Sequence, residues 1–214
     1  MAKIWQANYA HEDFEIISES VAYDGHFRVL DQKLRFRMFS GAWSPIIRRE
    51  KITRQAAVVV LLYHPGEDAV LFVEQFRTGA IGHNDNDIDS PWLLEPVAGL
   101  IELNDTIEET AKREVEEEAG CEVLDLFPVC KYLASPGMTN EMVYILCGRI
   151  NNYKLDDTHG LLSESEDIKT HIFPVNDAFK LLEDNKMLAA SGIIALQWLK
   201  ININMVRDRW KKKN

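Results

Sequence analysis

Three glutamates in one short stretch have the residue type and spacing that chemistry on a charged substrate would need. Glu114, Glu117 and Glu118 lie at i, i+3 and i+4 in REVEEEAG, so their carboxylates share one face of a helix. Their mutual repulsion, near a helix end that disfavours negative charge, is a conflict expected at functional sites. Hard divalent cations such as Mg²⁺ prefer oxygen ligands and often bind with substrate phosphates. The spacing therefore indicates a metal site, with an acidic surface helix as the alternative.

A helix over residues 105–120 is predicted to position these carboxylates. Asp105 and Glu108 have the spacing of a capping box with Asp105 as the N-cap. Gly120 can adopt the left-handed conformation that ends a helix. Apolar residues recur every fourth position and predict a buried stripe: Ile107, Ala111, Val115 and Ala119.

The rest of the chain predicts an α/β protein with two domains. Residues 1–54 have the pattern of antiparallel strands joined by turns, which predicts a small N-terminal β domain. Residues 55–214 form the predicted α/β domain. Its predicted strands lie on both sides of the turn at 64–68, near 126–134, near 141–149 and at 170–175. Its other predicted elements are an acidic loop at 151–167, a helix at 176–184 capped by Asn176, and an amphipathic helix at 191–210.

Composition and charge exclude several classes of function. The net charge of −10 does not attract nucleic acid or anionic lipid. No apolar run approaches the ~18 residues that span a bilayer, and the first twenty residues lack the apolar core of a signal peptide. The three cysteines lack metal-ligand spacing and are interpreted as reduced, in a cytoplasmic protein. The C-terminal RDRWKKK is interpreted as a solvated helix end.

The segment GLIELNDTIEETAKREVEEEAGC, residues 99–121, resembles the Nudix box. Two positions depart from that pattern, where Asp105 replaces a glutamate and Cys121 replaces an aliphatic residue. The flanking SPWLLEPVAGLIE and KYLASPGMTNE are similar to bacterial ADP-ribose pyrophosphatases, a subgroup marked by a proline at the position of Pro136. The resemblance implies a Nudix α/β/α sandwich with a mixed sheet, preceded by the small β domain.

The same resemblance implies the residues of a metal and catalytic site. Metal ligands are implied at four positions: the carbonyl of Ala98 and the side chains of Glu114, Glu117 and Glu118. Arg113 is implied as an orienting partner of the glutamates. The acidic loop contributes the general base, for which Glu164 matches the family position and Glu166 is the close alternative. Mg²⁺ is the implied cation, and Mn²⁺ is a second candidate.

Further residues are implied in substrate binding. Arg49 and Arg77 match positions that contact phosphates or the terminal ribose, which suits the bidentate guanidinium group. Glu141 matches a residue that reaches the substrate from the partner subunit, in a homodimer with exchanged N-terminal domains. His26 and Phe27 both lie where the family places an aromatic ring against adenine, and the sequence does not decide between them.

The implied activity is Mg²⁺-dependent hydrolysis of the pyrophosphate bond of ADP-ribose to AMP and ribose 5-phosphate. The nearest alternative is the same chemistry on another nucleoside diphosphate sugar, such as GDP-mannose. A Nudix module that binds nucleotide sugars without catalysis is a third hypothesis, but it predicts loss of the acidic ligands, and all of them are present here.

Overall fold

The computed structural model describes residues 5–82, 90–154, 158–161, 163 and 165–211. The chain divides into two compact units. One contains the residues up to Arg54 together with Leu133–Glu141, and the other contains Gln55–Tyr132 together with the chain from Met142 onward. No helix among the described residues is long and apolar enough to cross a membrane.

The first unit is built on a three-stranded antiparallel sheet in the order β1-β2-β3. Its strands are β1 (Phe14–Asp24), β2 (Arg28–Phe36) and β3 (Ile47–Thr53). The segment 133–141, which the sequence analysis placed in the second domain, belongs to this unit. It is held there because the Ile52 amide donates a 2.8 Å hydrogen bond to the Met138 carbonyl.

The second unit contains an eight-stranded mixed sheet. Its strands are β4 (Ala57–His64), β5 (Ala69–Phe76), β6 (Trp92–Glu95), β7 (Val97–Leu100), β8 (Asp125–Leu133), β9 (Met142–Arg149), β10 (Thr158–His159) and β11 (Ile168–Pro174). The main order is β10-β11-β5-β4-β9-β8, with β6 paired to β5 and β7 paired to β4. The β4–β9 pair is parallel and the β4–β5 pair is antiparallel, so the sheet is mixed.

Helices cover both faces of this sheet, which gives the α/β/α sandwich that the family resemblance implied. Helix α1 (Ile107–Ala119) packs on the face that carries Val58, Val60 and Leu62. Helices α2 (Val175–Glu183) and α3 (Ala190–Trp210) pack on the opposite face. Alternate residues of β4 enter the two cores, as the two-residue period of a strand requires. A nearly continuous apolar run such as that of β4 is typical of a strand that is buried on both faces.

Two predicted helix caps are wrong. Thr106, not Asp105, is the N-cap of α1, since its hydroxyl accepts from the Glu109 amide at 3.2 Å. The Glu109 carboxylate accepts from the Thr106 amide at 2.9 Å, which completes a capping box shifted by one residue. Asn176 does not cap α2, because that helix already begins at Val175.

Candidate active site

Helix α1 brings two of its glutamates against strand β7. The Glu118 side chain is buried, with only 3% of the residue exposed, and its Oε2 accepts a 3.0 Å hydrogen bond from the Ala98 amide. The Glu114 carboxyl group lies over Gly99, where a Cβ atom would overlap it. Gly120 ends the helix in the left-handed conformation (φ 59°), as predicted, directly after these carboxylates.

Arg113 connects two of the carboxylates. Its Nη1 lies 2.8 Å from Glu114 Oε1 and 3.0 Å from Glu117 Oε2. A single guanidinium group therefore orients both glutamates and neutralises part of their charge. This is the contact expected of the orienting role that the sequence analysis assigned to Arg113.

The electrostatic state of the cluster is unusual for carboxyl groups. Burial raises the pKa of Glu114 to about 7, opposed by Arg113 and reinforced by Glu117. Burial also raises the pKa of Glu118 to about 8, opposed by the Ala98 amide and reinforced by Glu114 and Glu166. Both groups consequently exchange protons near neutral pH. The cluster contains more negative charge than its arginines neutralise, so it favours an added cation.

The charge of Glu166 also contributes to the raised pKa of both Glu114 and Glu118. Its Oε2 accepts a 3.2 Å hydrogen bond from the Leu161 amide. The Gly160 amide donates to the Glu117 carbonyl at 3.0 Å, which attaches this part of the loop to α1. The other candidate base, Glu164, lies outside the described residues.

Arg77 adds a positive charge to the site. Its Nε donates to Glu95 Oε2 at 2.8 Å, and its charge lowers the pKa of Glu118. Arg77 was predicted from the sequence, whereas Glu95, which holds it, was not. The available signal was a carboxylate that ends the apolar strand β6, directly before a proline.

The first unit contains the other predicted substrate-binding residues. The Arg54 guanidinium lies 5.1 Å from the centre of the Phe27 ring, and its Nε is 3.4 Å from Glu141 Oε1. The rings of His26 and Phe27 contact edge to face, with centroids 4.7 Å apart. Arg54 therefore joins two predicted residues, and sequence reasoning missed it because neither contact is local in the chain.

Arg49 stands on β3 in the same unit, where it is exposed. Its Nη1 donates a 2.9 Å hydrogen bond to the Arg48 carbonyl. Of the predicted residues that the structure describes, those in the second unit lie around α1 and β7. The others lie in the first unit: His26, Phe27, Arg49 and Glu141.

The α1 cluster suits a hard cation by donor type but is not closed around one. Among the described residues, no three His, Cys, Asp or Glu side chains are gathered so that they could hold a metal ion. Glu114 and Glu117 are both directed to Arg113 instead. Carboxylates with raised pKa values, and a glycine that lets β7 approach them, are the features that fit Mg²⁺.

Comparison with known proteins identifies the family. The NUDIX domain model matches residues 53–196, more than half of the chain. The chain belongs to the NUDIX hydrolase family. Segment 99–121 of this NUDIX protein, on which the resemblance rested, contains the end of β7 and all of α1. Nudix hydrolases generally use a divalent metal.

Curated relatives match this NUDIX protein over most of its length. It is 35% identical over 205 residues to the ADP-ribose pyrophosphatase of Haemophilus influenzae, covering 96% of this chain and 94% of that protein. It is 37% identical over 202 residues to the ADP-ribose pyrophosphatase of Escherichia coli K12, with coverages of 94% and 95%. The GDP-mannose pyrophosphatase of Yersinia pestis is 31% identical over 155 residues, with coverages of 72% and 75%.

A solved structure supports the fold. The crystal structure of an ADP compounds hydrolase matches with a TM-score of 0.65, covering 91% of this chain and 98% of that chain. The sequence identity of that pair is 19%, so this likeness concerns the fold alone.

Proposed function

We propose that this NUDIX hydrolase cleaves the pyrophosphate bond of ADP-ribose with Mg²⁺ as its cation. Water adds across the P–O–P linkage, one phosphorus–oxygen bond breaks and another forms, and the products are AMP and ribose 5-phosphate. The observation that carries the chemistry is the group of carboxylates on α1 with Glu118 buried against β7. The choice of ADP-ribose is supported by relatives of that activity that match 94–96% of the chain.

The residues of the second unit have separate roles in this proposal. The ligands would be Glu114, Glu117, Glu118 and the Ala98 carbonyl, and a bound divalent cation supplies charge neutralisation to the pyrophosphate. Arg113 fixes the directions of Glu114 and Glu117. The Ala98 amide fixes the direction of Glu118.

Two further tasks fall to residues around the cluster. Arg77, held by Glu95, offers its remaining N–H groups to the substrate phosphates. The proton of the attacking water passes to a loop carboxylate, for which Glu164 and Glu166 are the candidates. Glu166 has its position near Glu114 and Glu118 in its favour, and Glu164 has its match to the family position.

The first unit would complete the site in a homodimer with exchanged N-terminal domains. Phe27 or His26 would stack on adenine, and Arg49 and Glu141 would contact the rest of the substrate. The ion pair from Arg54 to Glu141 supports a fixed position for that carboxylate. Several exposed apolar residues on β1 support association through this unit: Ile16, Ile17, Val21 and Tyr23.

We place the protein in the cytoplasm, in keeping with three cysteines that are all free. Hydrolysis of GDP-mannose is the second candidate function. It is supported by a relative of that activity, which matches a smaller share of the chain.

A substrate panel tests the proposed reaction. The protein is incubated with ADP-ribose, GDP-mannose and other nucleoside diphosphate derivatives, with Mg²⁺ or Mn²⁺, and nucleotide release is followed by chromatography. We expect ADP-ribose to have the highest kcat/KM and to give AMP. Absence of AMP release from ADP-ribose with every divalent metal would overturn the proposal, and a higher kcat/KM for GDP-mannose would favour the second candidate.

Mixing inactive variants tests the shared site. Glu118→Gln lies in the second unit and Glu141→Gln in the first, so a heterodimer with exchanged domains contains one intact site. Activity that returns after the two variants are unfolded and refolded together supports the exchange. Activity that stays at the level of the separate variants, in a sample shown to contain heterodimers, argues against it.

A further inference from the structure

A cavity of about 840 Å³ lies in the second unit, where strands β4 and β9 end beside the last turn of α3. Among the residues that the structure describes, it is lined by one carboxylate, Asp68, and by four cationic side chains: Arg149, Arg207, Arg209 and Lys211. This concentration of positive charge stands in a chain whose net charge is −10. None of the described residues assigned to the hydrolytic site lines it.

The fold assembles this cavity from distant parts of the chain. Arg149 is the last residue of β9 and pairs with Tyr63 on the parallel strand β4. It follows Cys147 by two positions, so its side chain is on the sheet face that α3 covers. The other wall contains Arg207, Arg209 and Lys211. The described part of the C-terminal segment is not simply a solvated helix end, because Trp210 is buried in the core.

Three of the four cations have carboxylate partners. Arg207 donates from Nε and Nη2 to Asp68, at 2.9 and 2.5 Å. The remaining pairs are Arg209 with Asp125, at 3.2 Å, and Lys211 with Asp208. Each of these three residues keeps further N–H groups for another acceptor.

Arg149 differs from the other cations. Within the described part of the chain it has no carboxylate partner, and its Nε is buried without an acceptor. A buried donor without an acceptor costs stability, and no carboxylate among the described residues neutralises the charge of Arg149. An anion that enters the cavity would therefore meet a guanidinium group that has no other counter-charge there. The favourable interaction of cations with a helix C-terminus accounts for the residues on α3, but not for Arg149, which is on a strand.

We propose that this cavity binds a phosphate group, either inorganic phosphate or the phosphate of a small monoester, with Arg149 as its principal contact. A guanidinium group matches phosphate oxygens with two parallel hydrogen bonds. Because the cavity has several cationic donors, a phosphate dianion suits it better than a ligand with one carboxylate group. His64 is not a ligand, because its two ring nitrogens already bond to the Asn151 carbonyl and the Glu67 amide.

Binding is measured by calorimetric titration of the full-length protein with inorganic phosphate and, separately, with glycerol 3-phosphate. The buffer contains EDTA and is held at constant ionic strength. We expect saturable binding of at least one of the two probes by the wild type and an affinity at least about tenfold lower for Arg149→Gln. Arg77→Gln makes the same charge change at the hydrolytic site and should leave this affinity unchanged.

The controls separate this proposal from its alternatives. Arg48→Gln, an exposed arginine of the first unit, should also bind as the wild type does. If Arg149→Gln does not fold, Arg209→Gln replaces it and should lower the affinity as well. Two results overturn the proposal. One is absence of saturable binding by the wild type, and the other is loss of binding in Arg77→Gln while Arg149→Gln binds as the wild type does.

Discussion

The carboxyl group of Glu114 lies directly over Gly99, so closely that a methyl group at position 99 would overlap its Cδ and Cγ atoms. Gly99 is therefore required by close approach between α1 and β7. This close approach also explains the spacing in the sequence, where Gly99 stands fifteen residues before Glu114. The position of this carboxylate depends on the strand as much as on its own helix.

Gly99→Ala should displace Glu114 and leave the protein folded. Because a displacement of about 1 Å can cost 10²-fold in rate, we expect kcat to fall by roughly that factor. Steady-state kinetics on ADP-ribose and circular dichroism check both parts. Gly79→Ala is the matched control, since a Cβ there meets nothing within 4 Å. Equal activity of the two variants would contradict the interpretation.

Mg²⁺ should raise the melting temperature, and the increase should grow with pH. The pKa values of Glu114 and Glu118, about 7 and about 8, lie above the ordinary carboxyl value. Their protonation thus stabilises the metal-free fold at low pH, and this contribution is lost as pH rises through those values. A cation replaces the lost protons.

Thermal melts with and without Mg²⁺, at about pH 6 and about pH 8.5, check this dependence. We expect a larger increase at the higher pH. Mg²⁺-free buffers of equal ionic strength serve as the reference, because a general salt effect would stabilise the protein similarly at both pH values. An increase that is independent of pH would contradict the role of these two carboxylates.

Glu118→Gln should abolish most turnover without unfolding the protein. The amide oxygen can still accept from the Ala98 amide, while the buried charge is removed. Loss of several kcal/mol of charge stabilisation corresponds to at least about 100-fold in kcat. In EDTA above about pH 8 the variant should melt at a higher temperature than the wild type, since it lacks an ionised buried group. A variant with wild-type kcat would remove Glu118 from the ligand set.

The features that the sequence predicted best are those with dense local signals. The run of apolar residues in β4 fixes a buried strand, and the stripe that includes Val115 fixes the buried face of α1. Gly120 marks the helix end by a local conformational requirement. Such signals depend on residues that are close in the chain. The tertiary packing of β4 and α1 favours the same structure that these signals predict.

The features that were not predicted from the sequence depend on partners that are distant in the chain, or on a choice between two equally suitable residues. Glu95 binds Arg77, and Arg54 binds Glu141, across long stretches of chain. Trp210 packs in the core, and its indole N–H donates to Asp125 at 2.8 Å. No local sequence pattern predicts such contacts.

The N-cap of α1 is such a choice between two suitable residues, and substitutions can test it. Asp105 and Thr106 are both good cap residues, and each has a glutamate three positions later. Since Thr106 makes the cap, Thr106→Ala should cost about 1 kcal/mol of unfolding free energy. Asp105→Ala should cost less than about 0.5 kcal/mol. Urea denaturation of both variants checks the order, and the reverse order would restore Asp105 as the cap.

Substitutions in the acidic loop separate the two candidate bases. Removing a true general base lowers the rate by about 10²–10⁴, so either Glu164→Gln or Glu166→Gln should lose at least tenfold in kcat, and the other should not. Glu166→Gln should also lower the pKa of Glu114 and Glu118, because its charge raises both. That change moves the onset of Mg²⁺ stabilisation to lower pH, whichever residue is the base. Asp167→Asn, an exposed neighbour, is the control, and full kcat in both glutamine variants would show that the loop does not supply the base.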